Sequence, residues 1–334
     1  MSVVILTGAG ASKALGYPTT IEFYQENLLG NDNLLGVYNK LKNFFKLKKD
    51  ANKLDVEDVL SLLDPIDDFK ETKSGKFLQT FNSIYFEQIH SFIEYSQNRC
   101  FDLYGKKPDY KEFERLYLPF LDACGWKVQK VELFTTNYDP VSDFIMDLAD
   151  ELKLNSFDGF NNRSKWDYRQ YGYDSKKTLA ENGINIYRLH GSMSWFKDGK
   201  TIKNTRDYNR RQNISTKEHL LIYPGYKGNP HIDNKDTDAY TFPSNQFERK
   251  IFEYEYLIVV GFSFRDEHIN EQVKKAMDKN QKLNLIILNP IWESGLNQIV
   301  DKIKEVYPSR VKHIENRFGD DEAIIELKKL IKIH

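Results

Sequence analysis

Five short motifs rich in glycine or polar residues each follow directly on an apolar run of the sequence. The first run, residues 3–6, has the composition of a strand buried on both faces, and Gly8 and Gly10 follow it before a helical stretch begins near Ser12. Gly8 suits a tight turn, and Gly10, which lacks a Cβ, would let the backbone approach a pyrophosphate closely. The N–H groups of the following helix would favour an anion there, with the Ser12 hydroxyl as a further donor.

On its own this turn is not specific. Its glycines Gly8, Gly10 and Gly16 do not have the G-x-G-x-x-G spacing, and a purely structural turn could have the same composition. The other four motifs are TTNYD at 135–139, LHGS at 189–192, GFSF at 261–264 and the Asn-Pro pair at 289–290. In an open parallel sheet, ligands bind outside the carboxyl ends of the strands, so all five motifs would converge on one crevice. Their joint placement predicts a nucleotide site.

Each polar residue of these motifs also has a structural interpretation. Asp139 could cap the helix that begins near Pro140 or contact the ligand directly, and the two roles are compatible. Asn137 and Asn289 could be turn residues, and a single histidine such as His190 is often hydrogen-bonded packing. The prediction of a binding site therefore depends on the residues as a set.

The hydrophobic periodicity predicts the strands and helices that position the motifs. Strands are predicted at 131–135, 184–189, 219–223, 256–260, 283–288 and 310–314, with helical patterns between them. Residues from 34 to about 125 read as almost entirely helical, residues 155–182 as a long surface loop or lid, and residues 197–217 as an exposed loop. We therefore predict an α/β fold, a Rossmann-like parallel sheet with helices on both faces and a mainly helical insertion. A single domain would span 1–334, with Rossmann parts at about 1–30 and 126–334 and the insertion at about 31–125.

Composition narrows the classes of function. The 334 residues carry a formal net charge of −1, which gives no steering toward nucleic acid or membrane. The 2 cysteines cannot form a zinc site of four thiolates or a disulfide framework. No apolar run approaches the roughly 18 residues of a membrane span. We expect a cytoplasmic protein with no metal, no membrane association and no intrinsic nucleic-acid binding. The basic stretch 40–53 fits a solvated helix face better than a phosphate-binding patch.

The set of motifs resembles the sirtuin family of NAD-consuming enzymes. That family's pattern of G-A-G-x-S, T-x-N-x-D, H-G, G-x-S and a late Asn appears here in the same order, at 8–12, 135–139, 190–191, 261–263 and Asn289. The sequence GFSFRDEHI, the segment TTNYDP and the helical insertion most resemble the corresponding parts of the bacterial sirtuin-like NAD hydrolases of anti-phage defence. The resemblance spans nearly the whole chain in outline.

Two departures from the sirtuin deacylases bear on the reaction. Those enzymes carry a zinc module held by four cysteines, and they carry G-I-P-D-F-R after the first helix, of which this chain keeps only Gly16 and Pro18. The resemblance therefore implies an NAD⁺ hydrolase that cleaves the nicotinamide–ribose bond to give nicotinamide and ADP-ribose, depleting NAD in anti-phage defence by abortive infection. The alternatives are a sirtuin-type protein deacylase or ADP-ribosyltransferase, and a non-catalytic module that senses NAD or ADP-ribose.

The resemblance also implies a role for each motif. Asn137 and His190 would be catalytic, Asn137 by orienting a water molecule or ribose hydroxyl and His190 as general base. The residues expected to bind NAD⁺ are Gly8, Ala9, Gly10, Ala11, Ser12, Thr136, Asp139, Gly261, Phe262, Ser263 and Asn289. Glu57, in the segment VEDVL, is a further candidate whose alternative is a surface helix acid. A toxic hydrolase needs restraint, so we expect a homo-oligomer or control by a partner ATPase or another phage-sensing protein.

Overall fold

The computed structural model describes residues 2–23, 95, 98–100, 102–161, 165–167, 182–198, 201–205, 219–221, 238–290 and 296–331. The chain divides into two units. One comprises Met1–Tyr17, Lys107–Leu221 and His231–His334, and the other comprises Pro18–Lys106 and Ile222–Pro230. Glu57 and most of the predicted helical insertion lie outside the described residues, so both stay predictions.

The described elements alternate between strands and helices. The strands are β1 Val3–Thr7, β2 Lys130–Thr135, β3 Ser156–Phe157, β4 Phe160–Asn161, β5 Lys165–Trp166, β6 Gly183–Arg188, β7 Gly191–Asp198, β8 Thr201–Asn204, β9 His219–Leu221, β10 Tyr256–Val260, β11 Asn284–Leu288 and β12 Val311–Ile314. The helices are α1 Ala9–Ser12, α2 Thr20–Phe23, α3 Tyr110–Ala123, α4 Val141–Glu151, α5 Asp238–Glu253, α6 Glu267–Lys279, α7 Leu296–Val306 and α8 Asp321–Leu330, with a 3₁₀ turn at Lys13–Leu15 after α1. Helix α2 belongs to the second unit and all the others to the first.

A seven-stranded parallel sheet forms the centre of the first unit, in the order β12-β11-β10-β1-β2-β6-β3. All five residues of β1 are buried, as in a strand covered on both faces. This arrangement confirms the predicted α/β class with a Rossmann-like parallel sheet. The strand predicted at 256–260 matches β10 residue for residue, and the others differ from their predicted bounds by one or two residues.

Successive residues of the central strands face opposite layers of helices, because side chains alternate along a strand. Val4 and Leu6 of β1 pack in one hydrophobic cluster with Phe247 of α5 and Val273 of α6. On the other face, Thr7 of β1 and Leu133 of β2 border a small cavity with side chains of α3 and α4. Helices therefore flank the sheet on both faces, as predicted.

A second sheet differs from the prediction. It is antiparallel, in the order β4-β5-β8-β7-β9, and it occupies parts of the two segments that were predicted to be exposed loops. The prediction of loops is wrong for β4, β5 and β8 of this sheet. It is also wrong for β3, which lies in the first of those segments and forms the edge of the parallel sheet. Strands of two to four residues give no readable alternation, and aromatic packing stabilises them instead, with ring centroids 5.2 Å apart for Phe160 and Trp195 and 5.7 Å apart for Trp166 and Trp195.

Within the described part of the chain, no helix has the length and apolar character needed to cross a bilayer.

Candidate functional site

The order of strands in the parallel sheet reverses at β1. From β1 the chain adds β2 and then β6 on one side, and later β10 and β11 on the other, so that β1 lies between β2 and β10. Thr7 at the end of β1 pairs with Val260 and Thr135 at the ends of those neighbours, so the three strands finish level. Such a reversal is the place where ligands bind in open α/β sheets, outside the carboxyl ends of the strands. All five motifs follow strands that end at this edge.

The two glycine turns on either side of the reversal touch each other. The backbone N–H of Gly8 donates to the Val260 carbonyl oxygen and that of Gly10 to the Gly261 carbonyl oxygen, both at 2.9 Å. A Cβ on Gly10 would lie 2.8 Å from the Gly261 Cα, and one on Gly261 would lie 2.1 Å from the Ala11 nitrogen. Gly261 also has φ +60°, a left-handed conformation that glycine adopts without strain.

The structure explains the glycine at position 10 differently from the sequence. The sequence predicted that the missing Cβ would admit a pyrophosphate, whereas the vacant direction faces Gly261 and the Gly10 N–H is already bonded there. Helix α1 is also only four residues long before it tightens into the 3₁₀ turn. The glycines therefore first bring two turns together, which fixes the backbone at the edge where a ligand would lie.

A chain of polar contacts joins the turn after β1 to the turn after β2. The Asn137 Nδ2 donates to the Gly8 carbonyl oxygen and to the Ser12 Oγ, each at 3.0 Å, and the Ser12 hydroxyl donates to Asp139. Because a carbonyl oxygen only accepts, the contact with Gly8 fixes which end of the Asn137 amide is nitrogen. Both amide N–H groups are therefore used, and among the described residues the amide oxygen is left to accept a hydrogen bond.

Asp139 lies in the protein interior, just before α4. Pro140, and not Asp139, is the N-cap residue of α4, but the Asp139 Oδ1 accepts from the Val141 backbone N–H at 3.0 Å and so satisfies one donor at the helix start. Burial raises the pKa of Asp139 to about 6, although the donors Ser12 and Val141 act in the opposite direction. Beside it lies a cavity with room for about one water molecule, bordered by Thr7, Tyr117 and Asn137 among others.

His190 follows β6 and is 7% exposed. Its Nε2 lies 3.3 Å from the Asp266 Oδ2, and its ring centroid lies 6.3 Å from that of Tyr138. Within the described residues, its Nδ1 is buried and has no hydrogen-bond partner. A buried polar atom of this kind calls for an explanation, and a bound ligand is one.

A buried ion pair holds the strand end that carries His190. The guanidinium of Arg188, the last residue of β6, donates to the Asp143 Oδ1 at 2.6 Å and to the Ser142 Oγ at 2.9 Å, both on α4. The arginine is 1% exposed. Breaking a pair so deeply buried would leave an unpaired charge, so these contacts hold β6 firmly against α4.

The remaining predicted residues surround the same edge. The Asn289 Nδ2 donates to the Phe262 carbonyl oxygen at 2.9 Å, and its Oδ1 is buried without a hydrogen-bond partner in the part that the structure describes. Thr136 donates its backbone N–H to the Thr7 carbonyl oxygen at 3.0 Å, and the Ala11 carbonyl oxygen accepts from the Tyr117 hydroxyl at 3.0 Å. Ala9 begins α1, and Ser263 is half-buried in the turn after β10.

Two residues at this edge were not among the predicted site residues. Phe264, with φ +53°, holds a left-handed backbone conformation that is rare outside glycine, and its buried ring packs on that of Phe262 at 5.3 Å. Asp266 contacts His190 and caps α6. The sequence did carry a signal for the cap, an Asp just before a helical pattern, but the contact with His190 depends on the order of the strands.

Part of the chain is similar to a known family of proteins. A family model described as the SIR2-like domain matches residues 131–291, a span that includes Asn137, His190, Ser263 and Asn289 but not the turn after β1. No curated protein matches the chain. The matched span is a little under half of the chain.

The solved structures that resemble this chain include Sir2 homologues. One, a Sir2 homologue–NAD complex, is 13% identical with a TM-score of 0.43 and covers 98% of this chain and 90% of that chain. Another, a Sir2 homologue mutant with ADP-ribose, is 14% identical with a TM-score of 0.44 and covers 100% of this chain and 95% of that chain.

Proposed function

We propose that this chain is an NAD⁺ hydrolase that cleaves the nicotinamide–ribose bond and releases nicotinamide and ADP-ribose. The SIR2-like match over residues 131–291 supports an NAD-related activity. The observation that carries the proposal is the pair of buried polar atoms without partners among the described residues, the His190 Nδ1 and the Asn289 Oδ1. They follow β6 and β11, on opposite sides of the strand where the sheet order reverses.

The geometry supports a division of the dinucleotide along this edge. The Asn289 Oδ1 is an acceptor suited to a ribose hydroxyl, on the β10–β11 side. Asn137 and His190 lie on the β2–β6 side, where the nicotinamide ribose would be. The two contacting glycine turns lie between them, where the pyrophosphate would cross β1.

The reaction needs little acid catalysis. Nicotinamide leaves as a neutral base with the electron pair of the broken N–C bond, and an oxocarbenium-like ribose remains. A water molecule then forms a new C–O bond and loses one proton, so that NAD⁺ and water give nicotinamide, ADP-ribose and H⁺. The Asn137 amide oxygen would orient the water molecule, and His190 would accept its proton.

The proposal favours hydrolysis over transfer to a protein. A deacylase of the sirtuin type needs its zinc module, and the sequence has 2 cysteines where that module takes four. Cys100 and Cys124 are both buried. The small number of cysteines therefore supports water, rather than an acylated lysine, as the acceptor of the ribose.

The test is to incubate the purified protein with NAD⁺ and to measure nicotinamide and ADP-ribose by chromatography. Both products should appear in equal amounts, and His190→Ala and Asn137→Ala should each lower the rate by about 10²–10⁴-fold, as expected for lost proton transfer and orientation. His268→Ala is the matched control, because His268 is exposed on α6 and should be dispensable. Circular dichroism should show that the variants remain folded.

Near-wild-type turnover in either site variant would contradict the assigned roles. Consumption of NAD⁺ only with an acylated peptide would favour the deacylase. Binding of NAD⁺ in calorimetry without turnover, with or without partner proteins, would favour a sensing module.

We further propose that the hydrolase depletes NAD in anti-phage defence and that assembly of copies, or a partner such as an ATPase, controls it in the cytoplasm. The resemblance to defence hydrolases of this family supports the setting. The chemistry supports the control, because uncontrolled loss of NAD⁺ would harm the cell that makes the enzyme.

A further inference from the structure

We propose that Asp266 is a positioning residue that holds His190 with its proton on Nε2 and so makes Nδ1 the atom that accepts the proton. The inference rests on the proposed function only for the identity of the reaction. The orientation and the tautomer are properties of the protein itself.

The two oxygens of Asp266 are divided between two tasks. Oδ1 accepts from the backbone N–H groups of His268 at 2.9 Å and Ile269 at 3.2 Å, which caps the first turn of α6. Oδ2 is thereby turned toward the His190 Nε2, 3.3 Å away. The helix start therefore fixes the carboxylate, and the carboxylate in turn fixes the ring.

The ionisation of Asp266 sets the tautomer of His190. Burial would raise the pKa of Asp266, but the hydrogen bond with His190, the charge of that ring when it is protonated and the two backbone donors outweigh it and hold the pKa below its ordinary value. An ionised carboxylate only accepts hydrogen bonds, so the Nε2 facing it must carry the hydrogen. In a neutral imidazole the other nitrogen then has the free lone pair. That nitrogen is Nδ1, which has no partner among the described residues.

The pair also joins the two halves of the sheet. His190 follows β6, and Asp266 lies between β10 and α6, on the other side of β1. The side chain of Asp266 is 13% exposed and that of His190 is 9% exposed, so little water competes for the contact. A catalytic group from one half is thus oriented by a carboxylate from the other.

Asp266→Asn separates positioning from capping. Asparagine caps helices about as well as aspartate, and its amide oxygen should stay with the two backbone N–H groups. Its NH₂ group then faces Nε2, which must become an acceptor, and the ring proton moves to Nδ1. The variant therefore keeps the helix start and reverses the tautomer of His190.

The first readout is nitrogen NMR of ¹⁵N-histidine-labelled protein without NAD⁺, with the His190 signals assigned from the His190→Ala spectrum. Wild type should show a protonated Nε2 and a bare Nδ1, and Asp266→Asn should show the reverse. The second readout is NAD⁺ cleavage, in which kcat should fall by about 10²–10⁴-fold with KM within a few-fold of wild type. The midpoint of thermal unfolding should stay close to that of wild type.

Asp109→Asn is the matched control, because Asp109 caps α3 through the Glu112 N–H at 2.9 Å. It should leave both the His190 tautomer and kcat unchanged. A wild-type ring protonated on Nδ1, an unchanged tautomer in Asp266→Asn, or wild-type kcat in that variant would overturn the proposal. If the wild type released no nicotinamide, the proposed function would fail, and the NMR comparison alone would decide the role of Asp266.

Discussion

The carboxyl group of Asp139 lies in the protein interior, next to a cavity with room for about one water molecule. Burial is the main cause of its raised pKa, and the nearby Asp143 raises it further, while the donors Ser12 and Val141 and the charge of Arg188 lower it. The pKa of about 6 lies above the ordinary 3.8. The folded protein therefore holds this proton more tightly than the unfolded chain does.

The pH dependence of stability follows from that difference. The contribution of Asp139 is fully present below about pH 4 and is lost as the pH rises through about 6. It amounts to about 3 kcal/mol, since each pKa unit corresponds to about 1.4 kcal/mol. Asp139→Asn should remove this loss, so the free energy of unfolding of the wild type minus that of the variant should decrease between pH 4 and pH 6. Urea unfolding at several pH values measures it.

Thr135→Val is the control for that experiment. The Thr135 hydroxyl accepts from the Asn137 backbone N–H at 3.0 Å beside the same cavity, and a threonine side chain does not titrate. It should lower the whole stability curve without changing its slope. A wild type and an Asp139→Asn variant with parallel curves would contradict the raised pKa.

For single residues, the sequence indicates which polar side chains follow a buried strand, but it does not indicate which residues those side chains contact. Asn137, His190 and Asn289 could be chosen from the sequence because each follows an apolar run that forms a buried strand. Asp266 could not be chosen, because its contact with His190 spans 76 positions and exists only in this strand order. The Tyr117 hydroxyl likewise reaches the Ala11 carbonyl oxygen across 106 positions.

Among the elements, the turns after β1 and β10 depend on each other. Gly261 combines a left-handed φ with a close approach to Ala11, whereas Gly16 has φ +85° and nothing within 4 Å of its Cβ position. A side chain at Gly16 would therefore meet only the strain of the left-handed conformation, whereas a side chain at Gly261 would also clash with Ala11.

Gly261→Ala should lower the free energy of unfolding by about 2–4 kcal/mol, because strain and overpacking add. Gly16→Ala, the matched control, should lower it by about 1–2 kcal/mol for the left-handed conformation alone. Denaturant unfolding of both variants and the wild type gives the comparison. Equal losses in the two variants would mean that the turns can separate without cost.

The elements themselves were predicted unevenly. The strands of the parallel sheet are continuous apolar runs such as 256–260, because both faces are buried, and such runs are visible without a partner. The antiparallel sheet is built partly from strands of two residues, β4 and β5, whose Phe160 and Trp166 pack on Trp195 of β7, about 30 positions further along the chain. Local periodicity has nothing to detect in such strands.

For the whole molecule, a formal net charge of −1 leaves little electrostatic repulsion between copies. We therefore expect the full chain to assemble at micromolar concentration, with NAD⁺ cleavage in the assembled fractions or only after a partner ATPase is added. Size-exclusion chromatography with a nicotinamide assay on each fraction measures this. His190→Ala should elute as the wild type does but without activity. A monomer that is fully active alone would contradict the proposed control.

The central place of β1 also has a consequence in time. Its neighbour β10 follows about 250 residues later, which at a synthesis rate of about 5–20 residues per second is about 12–50 s. Until then the turn after β1 has no Gly261 to contact, and His190 has no Asp266 beside it. A ribosome making this protein therefore carries a growing chain in which only one side of the reversal around β1 has formed, and under the proposed function such a nascent chain could not yet cleave NAD⁺.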